Sequence, residues 1–205
     1  MWWKYLARPD LFFTNNARTI YFVAFMLLVF AALSMKNILA YKTKSKIDFI
    51  PRYNEAKTSG LTITIILLFI LGPMFDQPEK FGICECQWIR WVGCLFMIDA
   101  IFFFSWSAWI LGKTFFRNDG KPAELKIVKT GPYAVIRHPR YLAVIAWSLS
   151  TALVFNNILA LFLALIAIWF VGLKANDEET FMELEFGEEW IAYKRETYRF
   201  IPLIY

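Results

Sequence analysis

The amino-acid sequence predicts an all-α fold built in a membrane, and three observations carry that expectation. Of 205 residues, 59% are hydrophobic and 19% aromatic, with a mean hydropathy of +0.46, which is too apolar for an ordinary water-soluble domain. The apolar residues collect into five segments, 19–40, 60–75, 88–111, 141–155 and 158–173, near the roughly 20 residues that a hydrocarbon core of about 30 Å requires. Lysines and arginines number five, seven and four in residues 41–59, 112–140 and 174–205, against three ahead of residue 19 and one in residues 76–87. The positive-inside rule then makes the first group cytoplasmic and the N terminus external, in a multi-pass integral membrane protein.

The chain opens with "MWWKYLARPDLFF", whose tryptophans and phenylalanines suit an anchor at headgroup level rather than a signal peptide. The first apolar segment, 19–40, is long enough to span. The second, 60–75, is short, because 16 residues at about 1.5 Å each cover about 24 Å. Flanking residues, local thinning or a partly re-entrant path must complete it. The loop 76–87 holds Cys84 and Cys86, and Cys94 follows in the third segment. Three cysteines with the lone histidine on the opposite face do not make a metal site, so the expectation is unpaired or structural cysteines and no metal.

Within the third segment, 88–111, Arg90 lies near an end and can snorkel. Asp99 lies about halfway, where a carboxylate is expected either to meet a polar group on a neighbouring helix or to line a substrate cavity. Residues 1–111 therefore read as membrane helices, and residues 112–205 as the chemically dense part, made of a loop (112–140), a hairpin (141–173) and a tail (174–205). The fourth and fifth segments are separated only by Asn156-Asn157, a turn pair that brings their outer ends to one side. The tail alternates charges with aromatics and punctuates as a helix from about 176 to 185, a break at Gly187, and a second helix from 188 to about 197.

The net charge of +5 sits in short loops beside membrane ends, where anionic headgroups attract it. No basic stripe interleaved with stacking aromatics points to nucleic acid, no repeat is visible, and nothing signals an obligate protein partner.

The chemistry concentrates at "GPYAVIRHPRY", residues 131–141, which holds the chain's only histidine. Pro139 suits the first position of a helix and pushes His138 towards an extended conformation. The helix N terminus, with Arg137 and Arg140, offers positive charge to an anionic group. The hairpin returns the acidic run Asp177, Glu178 and Glu179 to the same place. A ligand carrying both a cationic group and a carboxylate would be complementary to that pair of poles.

This block, with "EETFMELEFGEEWIAYKRETYRFIP" after the hairpin, resembles the C-terminal half of the isoprenylcysteine carboxyl methyltransferase and phospholipid methyltransferase superfamily of integral membrane enzymes. The matching positions are Gly131, Tyr133, Arg137, His138, Pro139, Tyr141, Glu178, Glu179, Phe186, Gly187, Trp190, Tyr193 and Pro202, over about residues 125–202. The resemblance implies S-adenosylmethionine in a cytoplasmic pocket roofed by the tail, with a lipid or lipidated acceptor arriving from the bilayer. It implies cofactor contacts from Ile127, Val128, Tyr133, His138, Tyr141 and Glu179, and catalytic roles for Arg137 and Glu178. The absence of a Gly-x-Gly-x-x-Gly after a strand agrees with a non-Rossmann site.

One position departs from the pattern. Lys174 stands where lipid carboxyl methyltransferases carry an arginine, and lysine cannot make a planar bidentate contact to a carboxylate, so the acceptor does not follow from the resemblance. The other readings of the sequence are a membrane reductase of the sterol or steroid type using NADPH, and a non-catalytic membrane scaffold.

Overall fold

A computed structural model describes residues 55–74, 82–84, 88–115 and 126–202. The expected first span, 19–40, and the N-terminal anchor lie outside the described residues. Within them the chain forms α1 (Glu55–Met74), α2 (Ile89–Phe115), a 3-10 turn (Gly131–Ala134), α3 (Pro139–Val154), α4 (Ile158–Phe186) and α5 (Glu188–Glu196). Strand-like pairing among the described residues is confined to a single parallel bridge between Ile136 and Tyr198.

Among the described residues, three helices are long and apolar enough to cross a membrane: α1 from Lys57 to Met74, α2 from Ile89 to Gly112, and α4. Large apolar side chains stand exposed along them, among them Ile66 and Ile70 on α1, Leu95 and Phe102 on α2, and Phe162, Leu165 and Trp169 on α4. Water would penalise such faces and lipid does not. The chain is an integral membrane protein. α3 has 16 residues, about 24 Å at the helical rise, and packs between α2 and α4, while α1 packs on α4.

The helix contacts are made by small side chains. On α4 the buried positions are Ala160, Ala164, Ala167, Val171 and Ala175, spaced by three or four residues so that they fall on one stripe. α3 faces its neighbours with Ala143, Ala146, Ser148, Ser150, Thr151 and Ala152, all buried. Lipid tails are as apolar as leucine, so association between spans depends on close backbone approach, which small residues permit. Gly93 on α2 shows the limit of that approach: a Cβ there would lie 2.6 Å from the backbone nitrogen of Val154. Gly93→Ala is expected to push α2 from α3 and cost about 1–3 kcal/mol, the usual size of overpacking. Thermal unfolding in detergent measures it, and an unchanged melting temperature would mean that the helices separate freely.

The hairpin tip is a buried polar knot. Asn156 takes a left-handed φ of 45°, and the Asn157 side chain caps α4 by accepting from the amides of Leu159 (2.9 Å) and Ala160 (3.2 Å). The Asn156 amide clasps the preceding loop, accepting from the Ile83 amide at 3.0 Å and donating to the Cys84 carbonyl at 2.8 Å. Arg90 corrects the expectation of snorkelling. It is buried and donates from Nη1 to the Val154 carbonyl at 3.2 Å, where a cation offsets the negative end of α3. Cys84 is disulfide-bonded and Cys94 is free. Asp99 is exposed on α2.

The tail departs from expectation at its start. No break separates the fifth apolar segment from the acidic block: α4 runs 29 residues, about 43 Å at the helical rise, so its C-terminal end projects beyond a bilayer core of about 30 Å. Polar side chains do not end a helix, and the single Gly172 is carried within it; Gly187, whose φ is 51°, ends α4 as expected. α5 then follows within a residue of the expected bounds.

Candidate active site at the entrance of the hairpin

The entrance begins with Gly131, whose φ is 62° and whose missing side chain admits the α2 residue Ile110. A Cβ there would lie 2.8 Å from Ile110 Cγ1 and 3.4 Å from Trp106 Nε1, so glycine is required both for the turn and for its contact with α2. The Pro132 carbonyl closes the turn by accepting from the amides of Val135 (3.2 Å) and Ile136 (2.9 Å).

From there the chain pairs with the tail rather than with itself. The Tyr198 amide donates to the Val135 carbonyl (2.9 Å), the Arg137 amide to the Tyr198 carbonyl (2.8 Å), and the His138 amide to the Arg199 carbonyl (3.2 Å). This extended run ends where Pro139 starts α3: His138 keeps the φ expected before a proline, −122°, but its ψ of 57° departs from the extended conformation expected there.

The projecting end of α4 brings Glu178 and Glu179 to that turn. Oε1 of Glu179 lies 3.1 Å from His138 Nε2, 3.2 Å from Arg137 Nε and 3.4 Å from Arg199 Nε. A carboxylate only accepts, so Nε2 of His138 carries the hydrogen. Nδ1 of the same ring faces Glu178 Oε2 at 3.8 Å. Tyr141 stacks on the imidazole with centroids 5.3 Å apart, and Phe200 tilts against it at 5.9 Å.

The two carboxylates differ in setting. Glu179 retains 13% side-chain exposure and Glu178 27%, and Glu178 makes no hydrogen bond among the described residues. Glu179 lies beyond the apolar stretch of α4. Burial would raise its carboxyl, but the His138 hydrogen bond and the charges of Arg199, His138 and Arg137 outweigh it and hold it at about 2.

Arg137 is engaged by protein on every side. Besides Glu179, its Nη1 donates to the carbonyls of Lys194 (3.1 Å) and Thr197 at the end of α5, the usual place for a cation on a helix. Arg140 is exposed in part, with its guanidinium against the Tyr133 hydroxyl and within the field of Glu178. Tyr133 anchors a second layer: its carbonyl accepts from the Tyr193 hydroxyl at 2.6 Å, and its own hydroxyl lies against Ser107 and Arg140. Burial pushes the Tyr133 hydroxyl up to about 12, so it stays a phenol. Lys129 and Glu189 pair at 2.9 Å and close the flank.

Of the expected site residues, Arg137, His138, Tyr141, Glu178 and Glu179 therefore meet in one cluster, with Tyr133 in the layer beside it. Ile127 and Val128 lie in the run leading to the 3-10 turn, half-buried, and no contact joins them to His138 or Glu179 among the described residues. Sequence reasoning passed over Arg199, Phe200 and Asn176. Arg199 and Phe200 lie in the run "YRFIP", of which only the proline enters the matched pattern, and Asn176 reads only as the start of a tail helix.

An open apolar groove of about 670 Å³ runs along α2, lined by Ile98, Ile101, Phe102, Ser105, Trp106 and Trp109. Trp106, the same residue that approaches Gly131, brings it to the turn. Asp99 does not line it.

Residues 88–189 match the phospholipid methyltransferase family. The chain is also similar to proteins named protein-S-isoprenylcysteine O-methyltransferase from three organisms. The relative from Schizosaccharomyces pombe is 30% identical over 38% of this chain and 34% of its own length. That from Saccharomyces cerevisiae is 34% identical over 41% of this chain and 36% of its own. That from Dictyostelium discoideum is 27% identical over 76% of this chain and 62% of its own. The chain thus spans about a third of the length of the first two relatives. These likenesses favour the methyltransferase reading over the reductase and scaffold readings.

Proposed function

We propose that this chain, whose residues 88–189 match the phospholipid methyltransferase family and which is similar to proteins named protein-S-isoprenylcysteine O-methyltransferase, transfers a methyl group from S-adenosylmethionine to a lipid or lipidated acceptor. The observation that carries this reading is the meeting of His138 with two carboxylates and two aromatic rings at the entrance of the hairpin.

The residues present fit the donor. Glu178 is a partly exposed carboxylate with no hydrogen bond among the described residues, 3.8 Å from a ring nitrogen of His138, and Tyr141 and Phe200 pack on the same imidazole; a free carboxylate and aromatic rings both attract an ammonium or sulfonium cation. In this reading Glu178 takes the ammonium pole, and the backbone around Ile127 and Val128, with Tyr133 behind it, borders the rest. The donor supplies an already activated methyl group, so the reaction asks for alignment and exclusion of water more than for acid or base. Glu179 and Arg137 hold His138 and the tail in place over the site.

We assign the acceptor's hydrocarbon chain to the groove on α2, because Trp106 joins that groove to the turn. Its head group would then lie near Ser107, Tyr133 and the partly exposed Arg140. A carboxylate or thiolate head needs no proton removed, whereas an amine does. For an amine we assign that role to Nδ1 of His138, the ring nitrogen that Glu179 leaves free. The charge distribution supports a cytoplasmic turn and tail with the N terminus outside. Residues 1–111 then serve as membrane helices and 112–205 as the cofactor-facing part, with α2 common to both.

Equilibrium binding to the purified protein in detergent tests the reading. S-adenosylmethionine should bind saturably and raise the melting temperature, and NADPH should do neither. Stabilisation by NADPH alone would return the reductase to first place.

A further inference from the structure

We propose that Arg199 is the positioning residue for His138, fixing the imidazole's hydrogen-bonded form and orientation through Glu179, the backbone and Phe200 at once. Its relevance to methyl transfer rests on the reading above, but its structural basis does not. Three groups converge on Glu179 Oε1, and only Arg199 comes from the tail beyond α5. Its guanidinium also donates from Nη2 to Asn176 Oδ1. Asn176 lies three residues before Glu179, on the same face of α4, so the planar fork of one arginine bridges both positions.

The same residue reaches His138 by two further routes. The Arg199 carbonyl accepts the His138 amide at 3.2 Å. The guanidinium lies 5.4 Å from the centre of the Phe200 ring, which in turn tilts against the imidazole at 5.9 Å. With a side chain 9% exposed, Arg199 holds its ion pair to Glu179 and its hydrogen bond to Asn176 in a place that water barely enters, where such interactions are strengthened. Without it the Glu179 carboxylate keeps Arg137 and His138 but loses its link to Asn176, and the ring against His138 loses its backing. The imidazole then has more than one arrangement open to it.

His138 is the only histidine in the chain, which gives a readout independent of ligand or activity. Protein labelled with 15N-histidine and purified through a histidine-free tag should give one imidazole spin system, with Nε2 protonated. In Arg199→Gln the ring-nitrogen resonances should shift and broaden. Arg199→Lys, which keeps the charge near Glu179 but cannot bridge to Asn176, should recover part of the wild-type signal. Affinity for S-adenosylmethionine should fall about tenfold in Arg199→Gln, the size seen when outer partners of a ligating group are removed.

If Arg199→Gln does not fold, Asn176→Ala removes one anchor alone and should shift the same resonances less. Unchanged imidazole resonances in a variant whose melting temperature falls would overturn the proposal and leave Arg199 a purely structural residue. Absence of S-adenosylmethionine binding in the wild type would instead overturn the functional reading, with the histidine signal still deciding the role of Arg199.

Discussion

Replacing Glu179 with alanine is expected to destabilise the protein by about 3 kcal/mol or more, because it removes one partner of a buried charge cluster and leaves the others uncompensated. Arg137, His138 and Arg199 all turn to the same oxygen of this side chain, and Arg137 and Arg199 retain only 10% and 9% of their side-chain exposure. The loss should appear first in the tail, since Arg137 and Arg199 are its links to the turn and to α4. Limited proteolysis beyond Gly187 and the melting temperature in detergent measure the effect. A variant that melts with the wild type and keeps its tail protected would show that the cluster does not hold the tail.

The same carboxylate gives the wild type an acid limit. Its folded value, about 2, lies below the unfolded value of 4.5, so its contribution is complete above the unfolded value and is lost as pH falls from about 4.5 towards 2. Tail docking should therefore hold through mildly acidic conditions. Glu179→Ala is accordingly a probe of architecture, and loss of donor binding in that variant would not by itself identify a ligand contact.

The parts of this arrangement that were legible in the sequence are those fixed by short chain connections. Three residues, Phe155, Asn156 and Asn157, join α3 to α4, so the acidic run had to return to the turn at His138 whatever the rest of the bundle did. Pro139 likewise fixed where α3 begins. What escaped notice depends on partners far along the chain. Arg90 read as a snorkelling end residue because its acceptor, the Val154 carbonyl, lies 64 residues away. Arg199 carried no local signal of its bridge to Asn176, 23 residues earlier. The unbroken course of α4 was misread at Lys174 because the change from apolar to charged composition was taken for an end, when it marks only where the helix leaves its apolar surroundings. The five expected spans meet a similar limit: three helices satisfy length and apolarity, α3 is short, and the first lies outside the described residues.

The change expected to separate ligand binding from folding is Glu178→Gln. Its carboxylate makes no hydrogen bond among the described residues, stands 3.8 Å from His138 Nδ1 and keeps 27% of its side-chain exposure. Substitution by an isosteric amide breaks no described hydrogen bond, so the cost to stability should stay within about 0.5 kcal/mol, as for sites without a named structural role. If Glu178 receives the cationic pole of the donor, the same change removes the partly buried charge that the pole requires. Affinity for S-adenosylmethionine should then fall about 100-fold, about 2.8 kcal/mol, while the melting temperature without ligand stays where it was. Isothermal titration beside a thermal melt reads both quantities on one preparation. Unchanged affinity would remove Glu178 from the donor site and leave Glu179 Oε2 or the aromatic faces to receive the cation. A fall in affinity together with a large drop in melting temperature would instead assign Glu178 to the same structural cluster as its neighbour, because only a residue outside that cluster can lose its charge without loosening the tail.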